Sequence, residues 1–286
     1  MPNQAWLRLP FASALLVTVM ALPAFADDWE TCAKSSGDEA IAACTRAIKS
    51  GTYNGKTLAL AYSNRGVEWR AKGELERAIA DYDEAIKADP QQSAAYNNRG
   101  IAYAAGSDYD KAITDYDEAI KLKPDYASAL NNRGLAYFNK GQHQRAIADY
   151  DQAIKLEPDA VRLNNRGNAY AARAQYDRAI QDFDQALKLN PNSAQAYYNR
   201  GLAYRDKGDS GRAIADFDQA IKFDGKYAAA YASRGLAYSN RQDYSRAIFD
   251  LDTAIRLDGK YAGAYNDRGL VNVATGKTDR AIVDYT

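Results

Sequence analysis

The chain has 286 residues, with 37 Lys+Arg against 37 Asp+Glu, one His and two Cys. That balance supplies no drive toward nucleic acid or an anionic lipid surface. So little His and Cys leaves no thiol or imidazole triad and no His-based metal cluster, and no phosphate-cradling Gly loop occurs.

Residues 1–26 read as a secretory signal peptide. Arg8 makes a positive start, Phe11 to Leu22 is an apolar run too short to span a bilayer comfortably, and Ala24-Phe25-Ala26 is an A-x-A cleavage site. The alternative is a short uncleaved anchor. Cleavage would remove Arg8 and no acid, so 37 minus 1 leaves 36 bases against 37 acids. An exported chain is expected, periplasmic or secreted, with no membrane insertion after cleavage.

The segment 27–58 reads as a degenerate half-repeat. Gly37 to Ile48 has helical spacing, with Cys44 where an aromatic would stand and Ala40 and Ala47 at small positions. Cys32 falls on a short preceding helix. An exported chain with an even Cys count points to a Cys32–Cys44 bridge that staples this cap. Redox catalysis is the rival, but no C-x-x-C is present.

From residue 59 the dipeptide Arg-Gly recurs seven times, the glycines separated by 34, 34, 33, 34, 34 and 34 residues. A period of this length means stacked supersecondary units rather than one globular core. The units are 59–92, 93–126, 127–159, 160–193, 194–227, 228–261 and 262–286, the last ending in its second helix. Within 93–126, Tyr96, Arg99, Gly100 and Tyr103 have helical spacing, as do Ala112, Tyr116, Ala119 and Ile120. Gly106-Ser107-Asp108 is a turn signal between them, and Pro124 stops the second helix. Each unit is therefore a helix–turn–helix whose apolar face needs a stacked neighbour.

This pattern resembles the tetratricopeptide repeat family. The family's large residue at position 4, small at 8, aromatic at 11, Ala at 20, aromatic at 24, Ala at 27 and Pro at 32 are met by Tyr96, Gly100, Tyr103, Ala112, Tyr116, Ala119 and Pro124. The likeness covers 59–286, and with its Cys-pair start the chain is similar to exported bacterial members. It implies an all-α, right-handed α–α superhelix that binds protein or peptide, with no catalysis and no cofactor. The first helices would line a concave groove, chiefly through positions 2, 5, 6, 9, 12 and 13.

Position 7, usually Leu in the family, is always basic here: Arg65, Arg99, Arg133, Arg166, Arg200, Arg234 and Arg268. Position 23 is always Asp: Asp81, Asp115, Asp149, Asp182, Asp216, Asp250 and Asp284. Both lie on packed faces, so an arginine–aspartate seam is expected; the rival reading is an anion site. Removing Asp149 alone should strand a charge, whereas Arg133→Leu is expected to be neutral or stabilising. The aspartates at position 25 and the bases at 29, acid first at i,i+4, read as solvated decoration. Position 19 is also always basic. His143, at position 17, reads as a packing or turn residue.

Position 6 carries Asn64, Asn98, Asn132, Asn165 and Asn199, then Ser233 and Asp267. Asn is a poor helix-interior residue, so five in succession suggest a use. Their amides could grip the backbone of an extended peptide, similar to the asparagine ladder of the O-GlcNAc transferase superhelix. The alternative is that Asn came with repeat duplication and its amide is solvated. Two further readings stay open. One is an assembly subunit using its convex face or ends. The other is a fragment of a longer protein whose missing C-terminus carried an enzymatic domain. Ile282 and Tyr285 would lie on a short, uncapped last helix, so this end is expected to fray, and the chain either to continue or to pair end to end.

Overall fold

The computed structural model describes residues 24–286, with side chains from residue 28. The expected signal peptide, 1–26, lies almost wholly outside the described residues. Sixteen α-helices and no strand make up the described residues. A cap formed by α1 (Ala24–Lys34) and α2 (Gly37–Lys49) precedes seven antiparallel hairpins. These pair α3 (Gly55–Ala71) with α4 (Leu75–Ala88), α5 (Ser93–Ala105) with α6 (Tyr109–Leu122), α7 (Ala127–Asn139) with α8 (His143–Leu156), and α9 (Ala160–Ala171) with α10 (Tyr176–Leu189). They continue with α11 (Ala194–Asp206) and α12 (Ser210–Phe223), α13 (Ala228–Asn240) and α14 (Tyr244–Leu257), and α15 (Ala262–Ala274) and α16 (Thr278–Tyr285). The first hairpin starts earlier than the repeat boundary at 59, because α3 runs back to Gly55 with no Pro turn before it.

The turn inside each hairpin needs one left-handed residue at position 15. Gly73, Gly141, Gly208 and Gly276 supply it, with φ from +73° to +89°. Ser107, Ala174 and Gln242 occupy the same place at φ 63°, 56° and 61°, where a Cβ is strained. In 93–126 the reversal therefore falls on Ser107 rather than on Gly106.

Packing within a hairpin is small against large. A Cβ on Gly100 would lie 2.6 Å from the Tyr116 ring, and one on Gly134 2.7 Å from Tyr150. The glycine is thus the socket for the buried ring at position 24. Successive hairpins meet through α4 against α5, α6 against α7, and so on. First helices also touch the first helix of the next unit, while among the described residues second helices do not touch each other. The stack therefore curves with its first helices on the inside.

In the cap, Cys32 and Cys44 are joined as a disulfide with Cα atoms 4.6 Å apart, and both cysteines are buried beside Ala43 and Ala61. Cys44 sits where later units place a ring, so the bridge fills that space. The Gly37 amide donates to Glu68 at 2.7 Å and fastens α2 to α3.

The shortened turn after Pro158 has its own repair, supplied by the unit that follows. Position 3 is Ala in the other six units but Arg162 in 160–193. Arg162 is buried and folds back on the shortened turn. Its Nη1 donates to the Glu157 carbonyl at 2.9 Å and to Asp159, and its Nη2 to the Glu157 carboxylate at 3.0 Å.

Candidate functional site

The position-7 arginines are structural. Arg99 donates through Nε and Nη2 to Asp115 at 2.8 and 2.6 Å, and through Nη1 to Asp83 of the preceding unit at 2.6 Å. The same three bonds recur at Arg133, Arg166, Arg200 and Arg234. Arg268 repeats them with Asp284 and Asp252. Arg65, which follows the cap, binds Asp81 twice and gives its third bond to Thr45 Oγ1 at 3.0 Å. With the guanidinium fork spent inside the protein, the anion-site reading loses its donors.

Two sequence readings change here. The position-25 aspartates are not solvated partners of position 29; they carry the bond between repeats. Lys87 and Lys121 turn instead to Glu84 and Glu118. A forked arginine outcompetes a flexible exposed lysine for the carboxylate. The constant base at position 19 also has a partner that spacing alone did not reveal. It lies over the position-11 ring, as with Arg77 on Trp69 at 4.7 Å and Arg212 on Tyr204 at 4.5 Å. Unit seven, with Asn272 at position 11, has no such ring. Its amide instead donates to Asp284 at 3.1 Å.

Burial pushes the carboxyls of Asp115, Asp149 and Asp216 above their ordinary range, despite the opposing arginine bonds. Much of the attraction within each pair is therefore offset by the cost of burying its charges.

On the inner wall, three of the five position-6 asparagines are tied across repeats. Asn132 Nδ2 donates to Asn97 Oδ1 at 3.1 Å, Asn165 to Asn131 at 3.1 Å, and Asn199 to Asn164 at 3.0 Å. Asn64 reaches the Cys32 carbonyl at 3.5 Å, and Asn98 Oδ1 accepts from Asn97 at 3.4 Å. The amides of Asn132, Asn165 and Asn199 are thus fixed in orientation by position 5 of the preceding unit. Asn132 and Asn165 are half-buried and keep a second N–H and the carbonyl oxygen. Sequence reasoning had the column but not these rungs. The signal was there in the Asn-Asn pairs Asn97-Asn98, Asn131-Asn132 and Asn164-Asn165.

Beyond Asn199 the wall changes character. Tyr198 takes position 5 and packs its ring 4.8 Å from Tyr227 and 5.9 Å from Phe217. The Tyr227 hydroxyl donates to Gln195 at 3.0 Å, and burial pushes its pKa up to about 12. His143 opens α8, its ring 5.1 Å from Phe138, in keeping with a packing and turn role. Among the described residues, no group of His, Cys, Asp or Glu is arranged to hold a metal ion.

Comparison with known proteins fits this architecture. Models described as TPR repeat match residues 68–106, 102–141 and 167–208. Tetratricopeptide repeat models match 127–159, 194–227 and 233–285. No curated protein matches the chain. Among solved structures, the hetero-tetramer Cut9–Hcn1 of APC/C superposes with a TM-score of 0.67 at 20% identity, over 85% of this chain and 48% of that one. The chain thus spans about half the length of that relative. A tetratricopeptide repeat protein from Parabacteroides merdae gives 0.64 at 22% identity, over 82% and 91%. MamA gives 0.52 at 27% identity, over 57% and 96%. The repeat models, the helical hairpins and these neighbours agree: the chain belongs to the tetratricopeptide repeat family.

Proposed function

We propose that the chain is a non-catalytic scaffold that holds an extended segment of a partner protein along its inner wall, in an exported setting. The supporting observation is the set of cross-repeat asparagine rungs. An amide already held by its neighbour loses little freedom on binding, and it offers both donor and acceptor to a peptide backbone whatever the side chains. The Cys32–Cys44 bridge suits an oxidising compartment. Among the described residues no helix is long and apolar enough to cross a membrane.

The test is selection of binding peptides from a random library, followed by calorimetry. Losing two rungs at about 1 kcal/mol each should weaken binding about 30-fold in Asn132→Ala/Asn165→Ala. Methylating the peptide's backbone nitrogens should do the same, and conservative side-chain changes should not. Unchanged affinity in the double variant would mean that the groove amides do not bind, and would favour the convex face.

A further inference from the structure

The seven repeats serve as controls for one another along the edge formed by their hairpin turns. There the position-19 base faces position 16 of its own unit. In four units that residue is an acid. Glu74 lies 3.9 Å from Arg77, Asp108 2.8 Å from Lys111, and Asp209 2.5 Å from Arg212, while Asp243 accepts from Arg246 at 2.6 Å. Of the other three, 262–286 has Lys277 there, while 127–159 and 160–193 place a neutral glutamine. Arg145 has only the neutral Gln142 at 3.0 Å, and Arg178 only Gln175 at 3.3 Å. The base at position 14 shows the same break. Lys72, Lys140 and Lys207 reach Asp38, Asp110 and Asp177, whereas Arg173 reaches Gln144.

Three glutamines thus stand at adjoining places where sister repeats have acids, and the exposed Arg145, Arg173 and Arg178 that face them have glutamine partners in place of carboxylates. Arg145 and Arg178 are held over the Tyr137 and Tyr170 rings, each 5.6 Å from the ring centre, which fixes where their charge points. Arg145 and Arg173 border a depression of about 440 Å³ that also includes Gln142, His143 and Gln144.

We propose that this edge is a docking surface for an acidic, Asp/Glu-rich segment of a partner protein, whose carboxylates supply in trans what the sister repeats supply in cis. Carboxylate is the group these same positions bind elsewhere in the chain. Cations spread over two repeats call for several linked acids rather than one small anion. The proposal is independent of the groove, which lies on the first helices.

The probe is a fluorescein-labelled hexaglutamate peptide, followed by anisotropy with the full chain. Saturable binding is expected at about 50 mM salt, weakening at about 200 mM as screening grows. Two variants should each lose at least about 10-fold in affinity with helicity unchanged. Arg145→Gln/Arg173→Gln/Arg178→Gln removes the charges. Gln142→Asp/Gln144→Asp/Gln175→Asp keeps every arginine and restores the acids in cis. Asn132→Ala/Asn165→Ala should bind hexaglutamate like the parent, which separates this surface from the groove. Parent-like binding by either charge variant would overturn the proposal. So would binding of phosphatidylglycerol vesicles without binding of the peptide.

Discussion

The arginine seam allows a prediction worked bond by bond at Arg133. Asp149 is 5% exposed, the Arg133 side chain 20% and the Asp117 side chain 51%. Asp149→Ala removes two of the three bonds, but Arg133 keeps Asp117 and some water. A fully stranded charge costs about 3–5 kcal/mol, so about 2–3 kcal/mol is expected here. Asp117→Ala removes a half-exposed partner and should cost only about 0.5–1 kcal/mol. Arg133→Leu is no longer expected to be neutral. It leaves Asp149 buried without its donor, at about 3 kcal/mol. Neutrality belongs to the pair replaced together, Arg133→Leu/Asp149→Leu, because burial already works against the Asp149 carboxylate. Urea unfolding followed by circular dichroism gives the four midpoints. If Asp149→Ala were no worse than Asp117→Ala, or the double replacement worse than either single one, the reasoning would fail.

Four further outcomes follow. Gly134→Ala drives a Cβ to 2.7 Å from the Tyr150 ring and should cost about 1–3 kcal/mol; Gly235→Ala, 3.0 Å from the end of Leu251, should cost less in the same unfolding assay. Ala174→Gly relieves a left-handed alanine and should stabilise the chain by about 0.5–1 kcal/mol, read as a higher midpoint, with no gain signifying that the turn is unstrained. Reduction of Cys32–Cys44 should destabilise the cap by about 3 kcal/mol, read as faster amide exchange in α1 and α2 but not in α10. Helix α16 buries only Ala281, so amides 279–285 should exchange faster than 145–154; equal protection would contradict this.

The helices and their order were legible because one period repeats seven times, so each spacing is confirmed by its copies. The small residue at position 8 and the aromatic at 24 were legible as a recurring pattern, though their contact as socket and plug came from the structure. What escaped was whatever links different units. The bond from Arg99 back to Asp83 joins residues 16 apart on separate hairpins, and no helical period pairs them. The rung from Asn165 to Asn131 is hidden in the same way. The choice of Asp83 between Lys87 and Arg99 was a competition that propensity rules for a single helix cannot decide. The tyrosine pair Tyr198–Tyr227 depends on how two turns approach in space.

The buried Arg162 has a consequence for the superhelix as a whole. Losing one residue from a turn could have thrown every later repeat out of phase. Yet Arg166 still meets Asp151 at 2.7 Å and Asp182 at 2.6 Å, distances like those of the units on either side. The error is absorbed within one turn, much as a shim corrects a single joint in a spiral stair. A fault confined in this way leaves the thread of the screw unbroken, and the arginine–aspartate bonds run on in the same form on both sides of it.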